Sequence, residues 1–382
     1  MTTTLLDLPT PAALLERPRL EANIARMQRR IAGLGVALRP HVKTAKCLEV
    51  ATLQRAAGAR GIAVSTLKEA ETFFKAGFDD IVYAVALPPN KVPAAIALQR
   101  AGCDLKVIVD SLPAAQALVA LAQLERVAMK VLIEIDSDGH RAGVKPDSDE
   151  LVAIGRALHE GGMALAGVMT HAGASYDCTS ATALVAMAEQ ERSRTVRAAE
   201  RLRAAGLPCP VVSVGSTPTA LTAEHLDGVT EVRAGVYAFF DLVMAGVGGE
   251  GVCRLDEIAL SVLTTVIGHQ ADRGWILVDA GWMAMSRDRG TAVQAVDWGY
   301  GAVCARDGTP LAGLVLHGAN QEHGIVQVDG GAGDATLAER FPVGSLLRIL
   351  PNHACATAAQ HEAYQVVDGE RVTARWARFG GW

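Results

Sequence analysis

The sequence predicts an α/β chain: a (β/α)8 TIM barrel joined to a mostly antiparallel β domain. Three observations predict it. Between about residues 20 and 240, eight apolar runs alternate with helical segments. Beyond about residue 245, short strand-like runs follow one another without helices between them. The glycine-rich first turn that an open, doubly wound sheet would carry is missing.

The elements follow in order. Leu20, Ile24, Met27 and Ile31 recur at helical spacing and predict a first amphipathic helix. Apolar runs at 35–42, 61–65, 80–86, 105–109, 130–135, 164–170, 211–214 and 230–239 read as strands buried on both faces, as a parallel sheet requires. Helix starts are marked between them. Thr66 with Glu69 three residues on forms a capping box, Asn90 precedes KVPAAIALQR, and Thr217 precedes Pro218 at a first helical position. Eight strand–helix units in this length match the usual size of such a barrel. The runs IALSVLTTVIGHQ, WILVDAG, LAGLVLHG, HGIVQV and LLRILP build the β domain, and Asp368-Gly369 in YQVVDGERVTARW predicts a hairpin. The expected division is 16–245 for the barrel, with 1–15 and 246–382 for the β domain.

Composition narrows the function classes. Half of the 382 residues are hydrophobic, and the net charge of −5 is spread over interspersed signs. Nothing in that pattern suggests nucleic acid or an acidic membrane as partner. No apolar run is long enough to span a bilayer, and MTTTLLDLPTPAALLERP lacks a basic leader before an apolar core. The seven cysteines are scattered and never spaced CxxC, which reads as reduced thiols in the cytoplasm.

In a parallel barrel, chemistry gathers where the strands end. Those ends carry Lys43, Ser65 and Thr66, Asp110, the loop from Asp136 to Arg141, His171, Gly215-Ser216-Thr217, and Arg233 to Tyr237. The stretch VGSTPT offers backbone amides and hydroxyls to an anion after strand seven, where barrels often hold a phosphate. Gly235 in RAGVY adds a second glycine amide. An ordinary helix cap is the competing reading of VGSTPT. Lys43 reads alone as a solvated charge. Beside a phosphate site it reads as a nucleophile towards an aldehyde, and that pairing is the signature of pyridoxal phosphate. His171 and Arg141 read alone as a core histidine and a loop cap; together with Lys43 they suit a planar anionic cofactor. Lys46 reads as an ordinary charge opening the next helix, with Arg39 and His41 as supports for the polar rim.

PHVKTAK, DGHRAGV, GVMTHAGASY and VGSTPT resemble the fold-type III pyridoxal-phosphate enzymes, which pair an alanine-racemase-like barrel with a β domain. PNHACAT resembles the branch holding D-serine dehydratases and bacterial D-threo-3-hydroxyaspartate dehydratases, relatives of the D-threonine aldolases. The resemblance covers nearly the whole chain. It implies that Lys43 holds the cofactor as a Schiff base, His171 stacks on its ring and Arg141 bonds its phenolic oxygen. Gly215, Ser216, Thr217, Gly235 and Tyr237 would complete the cofactor site, and Arg233 falls near the ring nitrogen. His353 and Cys355 are implied as ligands of a divalent metal (Zn, Mn, Co, Ni or Mg). Residues two apart on a strand point to one side, and imidazole with thiolate suits zinc or a neighbouring transition metal.

The implied activity is metal-assisted elimination of water from a 3-hydroxy-D-amino acid, foremost D-threo-3-hydroxyaspartate, giving oxaloacetate and ammonia. A β-carboxylate on the substrate needs a cation, and Arg287 and Arg289 in SRDRG are candidates beside their reading as a solvated loop. The alternatives are a D-serine dehydratase or a retro-aldol D-threonine or 3-hydroxyaspartate aldolase. The aldolases carry Asp where this chain has Cys355, and eukaryotic D-serine dehydratases carry His where it has Ala45. A non-catalytic cofactor-binding protein and a cofactor-free metal hydrolase are the readings from other classes. A homodimer is implied by the resemblance alone.

Overall fold

A computed structural model describes residues 3–328 and 336–382. It divides into two compact units, 25–235 with 380–382, and 1–24 with 236–379.

The first unit is a parallel eight-stranded barrel. Its strands are Ala37–Pro40, Ile62–Val64, Asp80–Ala86, Asp104–Val109, Lys130–Ile135, Ala164–Thr170, Val211–Val214 and Glu231–Ala234. Each pairs in parallel with its neighbour, and the first strand pairs with the last. Closure between the first two strands comes from Arg60 N–H donating to Leu38 O at 2.8 Å and Val42 N–H to Ala63 O at 2.9 Å. Closing the sheet removes its edges, so backbone groups in the wall find partners. Ala63, Val82, Ile108, Leu132 and Met169, one from each of five successive strands, form an apolar cluster inside the wall. Burial of each larger side chain stabilises the barrel by roughly 1.5–3 kcal/mol relative to exposure.

Three helix starts follow the sequence differently. Thr66 caps Leu67–Lys75 as expected, accepting from Glu69 N–H. Asn90 instead sits inside a short 3-10 turn, Pro89–Lys91, and the helix begins at Val92, because Pro89 and Pro93 divide the segment. Ser216, not Thr217, caps Thr217–Thr222: its hydroxyl reaches Thr219 N–H, which places Pro218 second in the helix.

The second unit is a nine-stranded sheet. Strands Trp275–Val278, Gly324–Val328, Pro310–Ala319, Gly301–Cys304, Leu346–Pro351 and Leu260–Gln270 pair antiparallel in that order, and the last returns to the first. That ring is a closed antiparallel barrel filled by Val262, Val266, Ile276, Val278, Leu316, Val326 and Ile349, among others. Leu260–Gln270 also carries the N-terminal strand Ala12–Glu16, then Ala363–Asp368 and Arg371–Ala377. Short helices, Trp282–Met285, Leu337–Arg340 and Ala354–Ala358, interrupt a region whose sequence reads as strands alone. Each has five residues or fewer, too short for helical periodicity to register.

Glu16 ties the N-terminal strand to the strand Leu346–Pro351 and to the C-terminal hairpin turn. Its carboxylate meets buried Arg348 at 2.9 Å and accepts from Gly369 N–H at 2.8 Å, while Arg348 donates to Gly369 O at 2.7 Å. Removing one member leaves a buried charge without its partner, which costs about 3–5 kcal/mol. Glu16→Ala is therefore expected to lower the unfolding free energy by that order, read from denaturant midpoints at unchanged slope.

Candidate active site

The rim of the parallel barrel carries Lys43, Arg141, His171 and the Gly215–Thr217 turn, four of the features singled out in the sequence. Lys43 stands exposed in the turn that follows the first strand. Two backbone bonds hold that turn's base, His41 N–H to Ala234 O at 2.8 Å and Val42 N–H to Ala63 O at 2.9 Å. Its far side is fixed by Lys46. Lys46 adopts a left-handed backbone (φ 43°), and the helix begins only at Leu48. Its ammonium lies 3.0 Å from Glu69, a carboxylate only 1% exposed in its side chain. Ser65 N–H and Oγ also donate to Glu69. Lys46 is thus no ordinary surface charge but the counter-ion of a buried acid, close along the chain to Lys43. The sequence hid this, because its positive φ carries no residue signature here.

Arg39 also departs from expectation. It lies buried, with its Nε on Glu231 at 2.8 Å and its terminal nitrogens on Asp80 at 2.9 and 3.0 Å. Asp80 and Glu231 open their strands, so Arg39 serves the opposite end of the barrel from the rim. Arg233 is fully engaged in the interior, donating to Ser213 Oγ and Thr170 O.

His171 follows the sixth strand and lies close to Tyr176, ring centroids 6.2 Å apart. Its Nδ1 is 3.0 Å from Gly215 O. A carbonyl only accepts, so Nδ1 carries the proton and donates. Burial, assisted by the nearby charges of Lys43, Arg141 and Arg233, pulls the ring down to about 4 against the opposing Gly215 bond. It is neutral at pH 7. Burial likewise holds His41 well below the usual histidine range, with Lys43 and Arg233 adding to it. Arg141 is exposed and lies 3.5 Å from Glu134.

The glycine-serine-threonine turn is rigid. Gly215 has φ 142°, and a β-carbon there would collide with Arg233 O, so only glycine fits. Ser216 Oγ pairs with Ser175 Oγ at 2.9 Å. Thr217 Oγ1 is buried with no hydrogen-bond partner among the described residues. A buried hydroxyl in want of a partner fits an anion's oxygen at this turn. Gly235 packs its Cα against the first strand's end, where a β-carbon would fall 3.1 Å from His41 O. With the rim lysine, these features fit a phosphorylated aldehyde cofactor.

The second unit holds the His-x-Cys pair and Tyr237. Tyr237 is fully buried in the turn Val236–Ala238. His353 and Cys355 do not share a strand: the strand ends at Pro351, His353 caps Ala354–Ala358, and Cys355 lies in its first turn. The two side chains still meet in a hydrogen bond. The turn is held by buried carboxyl and amide groups the sequence did not flag. Asp241 accepts from Ala354 N–H at 2.9 Å and from Met244 N–H at 3.0 Å. Asn352 accepts from Thr291 N–H and hydroxyl, and donates to Gly299 O. Asp288 Oδ2 lies 2.6 Å from His353 Nδ1. Burial opposes charge on His353, but its bonds to Asp288 and Cys355 prevail and push it up to about 11. An imidazole oriented by a carboxylate, with a thiol beside it, is a donor set that fits a divalent metal. Among the described residues no group of three or more such side chains forms a metal cage. Asp288 lies between the two candidate arginines and was not singled out in the sequence. Arg289 itself pairs with Asp297 at 2.7 Å and lies over Tyr300, whereas Arg287 is exposed with its guanidinium 5.3 Å from the Trp282 ring.

A closed parallel barrel with a rim lysine, a neutral histidine and an anion-type turn, followed by an antiparallel barrel, defines the class of alanine-racemase-like pyridoxal-phosphate enzymes. The alanine racemase N-terminal domain model matches residues 15–243, and a serine dehydratase domain model matches 259–367. The chain belongs to this alanine racemase-like family. It is 61% identical to D-threo-3-hydroxyaspartate dehydratase of Delftia sp. across the full length of both chains. It is 31% identical to the D-serine dehydratase of Dictyostelium discoideum, over 95% of this chain and 94% of the other. The solved Delftia structure superposes with a TM-score of 0.97 at 62% identity, covering 99% of this chain and 100% of that one. Solved variants of that enzyme replace a histidine, and a cysteine two residues further on, by alanine, the latter in a metal-free form.

Two outcomes test the barrel site. Lys46→Met should leave Glu69 buried without its counter-ion and lower unfolding free energy by roughly 3 kcal/mol, measured by denaturant titration. Because His171 is held below its ordinary value of 6.5, the unfolded chain binds the proton first as pH falls. Its contribution is complete above pH 6.5 and is lost on acidification towards 4, with a slope of at most about 1.4 kcal/mol per pH unit. His171→Asn should flatten the stability–pH curve between 6.5 and 4; an unchanged slope would refute the assignment.

Proposed function

We propose that this chain is a pyridoxal-phosphate- and divalent-metal-dependent dehydratase that converts D-threo-3-hydroxyaspartate to oxaloacetate and ammonia. The observation that carries the reading is one chain joining a rim lysine beside an anion-type turn to its only His-x-Cys sequence. Full-length likeness to the Delftia enzyme supports the substrate. The variants of that enzyme, a histidine and a cysteine two residues apart, support His353 and Cys355 as ligands.

The residues divide the work by their chemistry. Lys43 Nζ, exposed at the strand end, would hold the cofactor covalently and then remove the substrate's α-proton as a general base. His171 offers a neutral ring face, fixed by its own bond to Gly215. Thr217 Oγ1 would donate to the phosphate with the Gly235 amide beside it, while Gly215 and Ser216, whose own amides are held by Glu191 and Thr219, shape the turn around it. Arg141 would donate to the phenolic oxygen. Bound pyridoxal phosphate supplies an electron sink for the α-carbanion, and a bound divalent metal supplies a Lewis acid for the departing hydroxide. Loss of the α-proton and the β-hydroxyl leaves an enamine, which takes up water and releases ammonia and the 2-oxo acid. Of the two arginines, Arg287 is the better partner for the substrate's β-carboxylate, since Arg289 is already paired with Asp297.

We place the protein in the cytoplasm as a homodimer. All seven cysteines are free thiols, in keeping with a reducing compartment. Among the described residues, no helix is long and apolar enough to cross a membrane. Dimerisation follows the family resemblance and is read by light scattering.

The test is product analysis with D- and L-3-hydroxyaspartate, D-serine and D-threonine, with and without chelator. Ammonia with oxaloacetate is expected from D-threo-3-hydroxyaspartate, falling by at least a hundredfold in Cys355→Ala or after chelation and vanishing in Lys43→Ala. Glyoxylate with glycine would overturn the dehydratase in favour of an aldolase.

A further inference from the structure

Glu191 lies in the middle of the long helix Ala181–Ala204, within the run EQERSR, and is 2% exposed. Among the described residues no ion pair includes it. One carboxylate oxygen accepts two backbone donors from different loops: Ala172 N–H at 3.0 Å and Gly215 N–H at 2.9 Å. The Thr219 side chain also bonds it. Ala172 directly follows His171. Gly215 opens the anion-type turn, and Thr219 completes the cap of Ser216. His171 Nδ1–H returns to Gly215 O, and Ser175 Oγ meets Ser216 Oγ, closing the same two loops from the other side.

We infer that Glu191 is a positioning residue that sets the His171 loop and the Gly215–Thr217 turn in one fixed relation, so that ring and phosphate of the cofactor are received together. This rests on the reading of the barrel rim as a pyridoxal-phosphate site. Gly215 cannot drift to compensate, since its Cα is already pressed against the Arg233 backbone. An amide buried without its acceptor must turn towards another, and the first loop to move takes the His171 ring with it. The demand is for an acceptor at one point, not for a charge. Glutamine supplies the same carbonyl oxygen to both amides and an N–H₂ to Thr219.

The test compares wild type, Glu191→Ala and Glu191→Gln, each stripped of cofactor and titrated with pyridoxal phosphate. Visible absorbance, visible circular dichroism and thermal midpoints with and without cofactor are recorded. Glu191→Ala should bind at least tenfold more weakly, with altered visible dichroism and a smaller cofactor-induced rise in midpoint. Glu191→Gln should stay within threefold of wild type on all readouts. If Glu191→Ala does not fold, Glu191→Asp, whose carboxylate is withdrawn by one methylene, should show the same tenfold loss. A folded Ala or Asp variant that binds within threefold of wild type overturns the inference, as does a Gln variant as weak as Ala. Wild type that takes up no pyridoxal phosphate overturns the functional reading itself, an outcome distinct from these.

Discussion

Two guanidinium groups stand inside the parallel barrel, and the requirement that every buried charge be paired organises the rest of that unit. Arg39 is answered by Glu231 and Asp80; Asp80 is shared with Lys106, which reaches Asp104, which in turn holds Lys130. Glu231 also accepts from Ser213, whose hydroxyl receives Arg233. Asp80, Asp104, Lys130 and Glu231 each open a strand. The pairing of charge is therefore concentrated at the end of the barrel where the strands begin. The opposite end carries Lys43, which stands exposed, with Arg141 facing Glu134 and His171 bonded to Gly215 O. Division of one barrel into a stabilising end and a reactive end is a property of the parallel strand order, which sends every strand's last residue to the same rim.

The strands of that barrel were legible because burial on both faces leaves long apolar runs, and 80–86, 130–135, 164–170 and 211–214 coincide with observed strands. The rim lysine and the anion-type turn were legible because a strand end followed by glycine and hydroxyl residues is a local signal. The groups that hold them in place were not. Glu191 sits among Glu189, Gln190 and Arg192, where charge ordinarily marks a solvated helix face, and only the approach of two loops from other strands makes it interior. Lys46 is read as surface for the same reason. Its partner Glu69 was visible as a capping residue, but the capping role hid the ion pair. His353 and Cys355 show the reverse case. Their spacing of two suggested a strand, and the side chains do converge, although by a helix start in which the capping residue and the first turn face one another.

The histidines show how the two units prepare different chemistry with one side chain. His171 and His41 are half-buried among cations, Lys43, Arg141 and Arg233, and both are held neutral. A neutral ring beside cations suits an anionic, planar ligand: the surrounding charge attracts it, and the ring adds no further positive charge that burial would penalise. His353 is surrounded by acids instead, Asp288 and Asp241 with the Cys355 thiol, and is driven the other way. On the proposed function, a divalent ion there would engage the sulfur and the nitrogen at once, which a proton does not.

The same contrast explains why neither feature alone defines the activity. An electron sink with a base removes an α-proton and allows several outcomes, among them racemisation and transamination. What commits the carbanion to elimination is help for the leaving hydroxide, since hydroxide is a poor leaving group without a Lewis acid. On the proposed function, the barrel residues would account for the family and the His-x-Cys turn for the reaction within it. Asp241 holds the His-x-Cys turn in place. It caps Leu242–Gly246 with one oxygen and fixes the Ala354 amide with the other, so one carboxylate determines where the segment between His353 and Cys355 can lie. Glu191 does the same for two loops of the barrel. In both units a buried carboxylate that accepts backbone N–H groups sets the geometry, while the residues that react are left exposed or half-buried beside it.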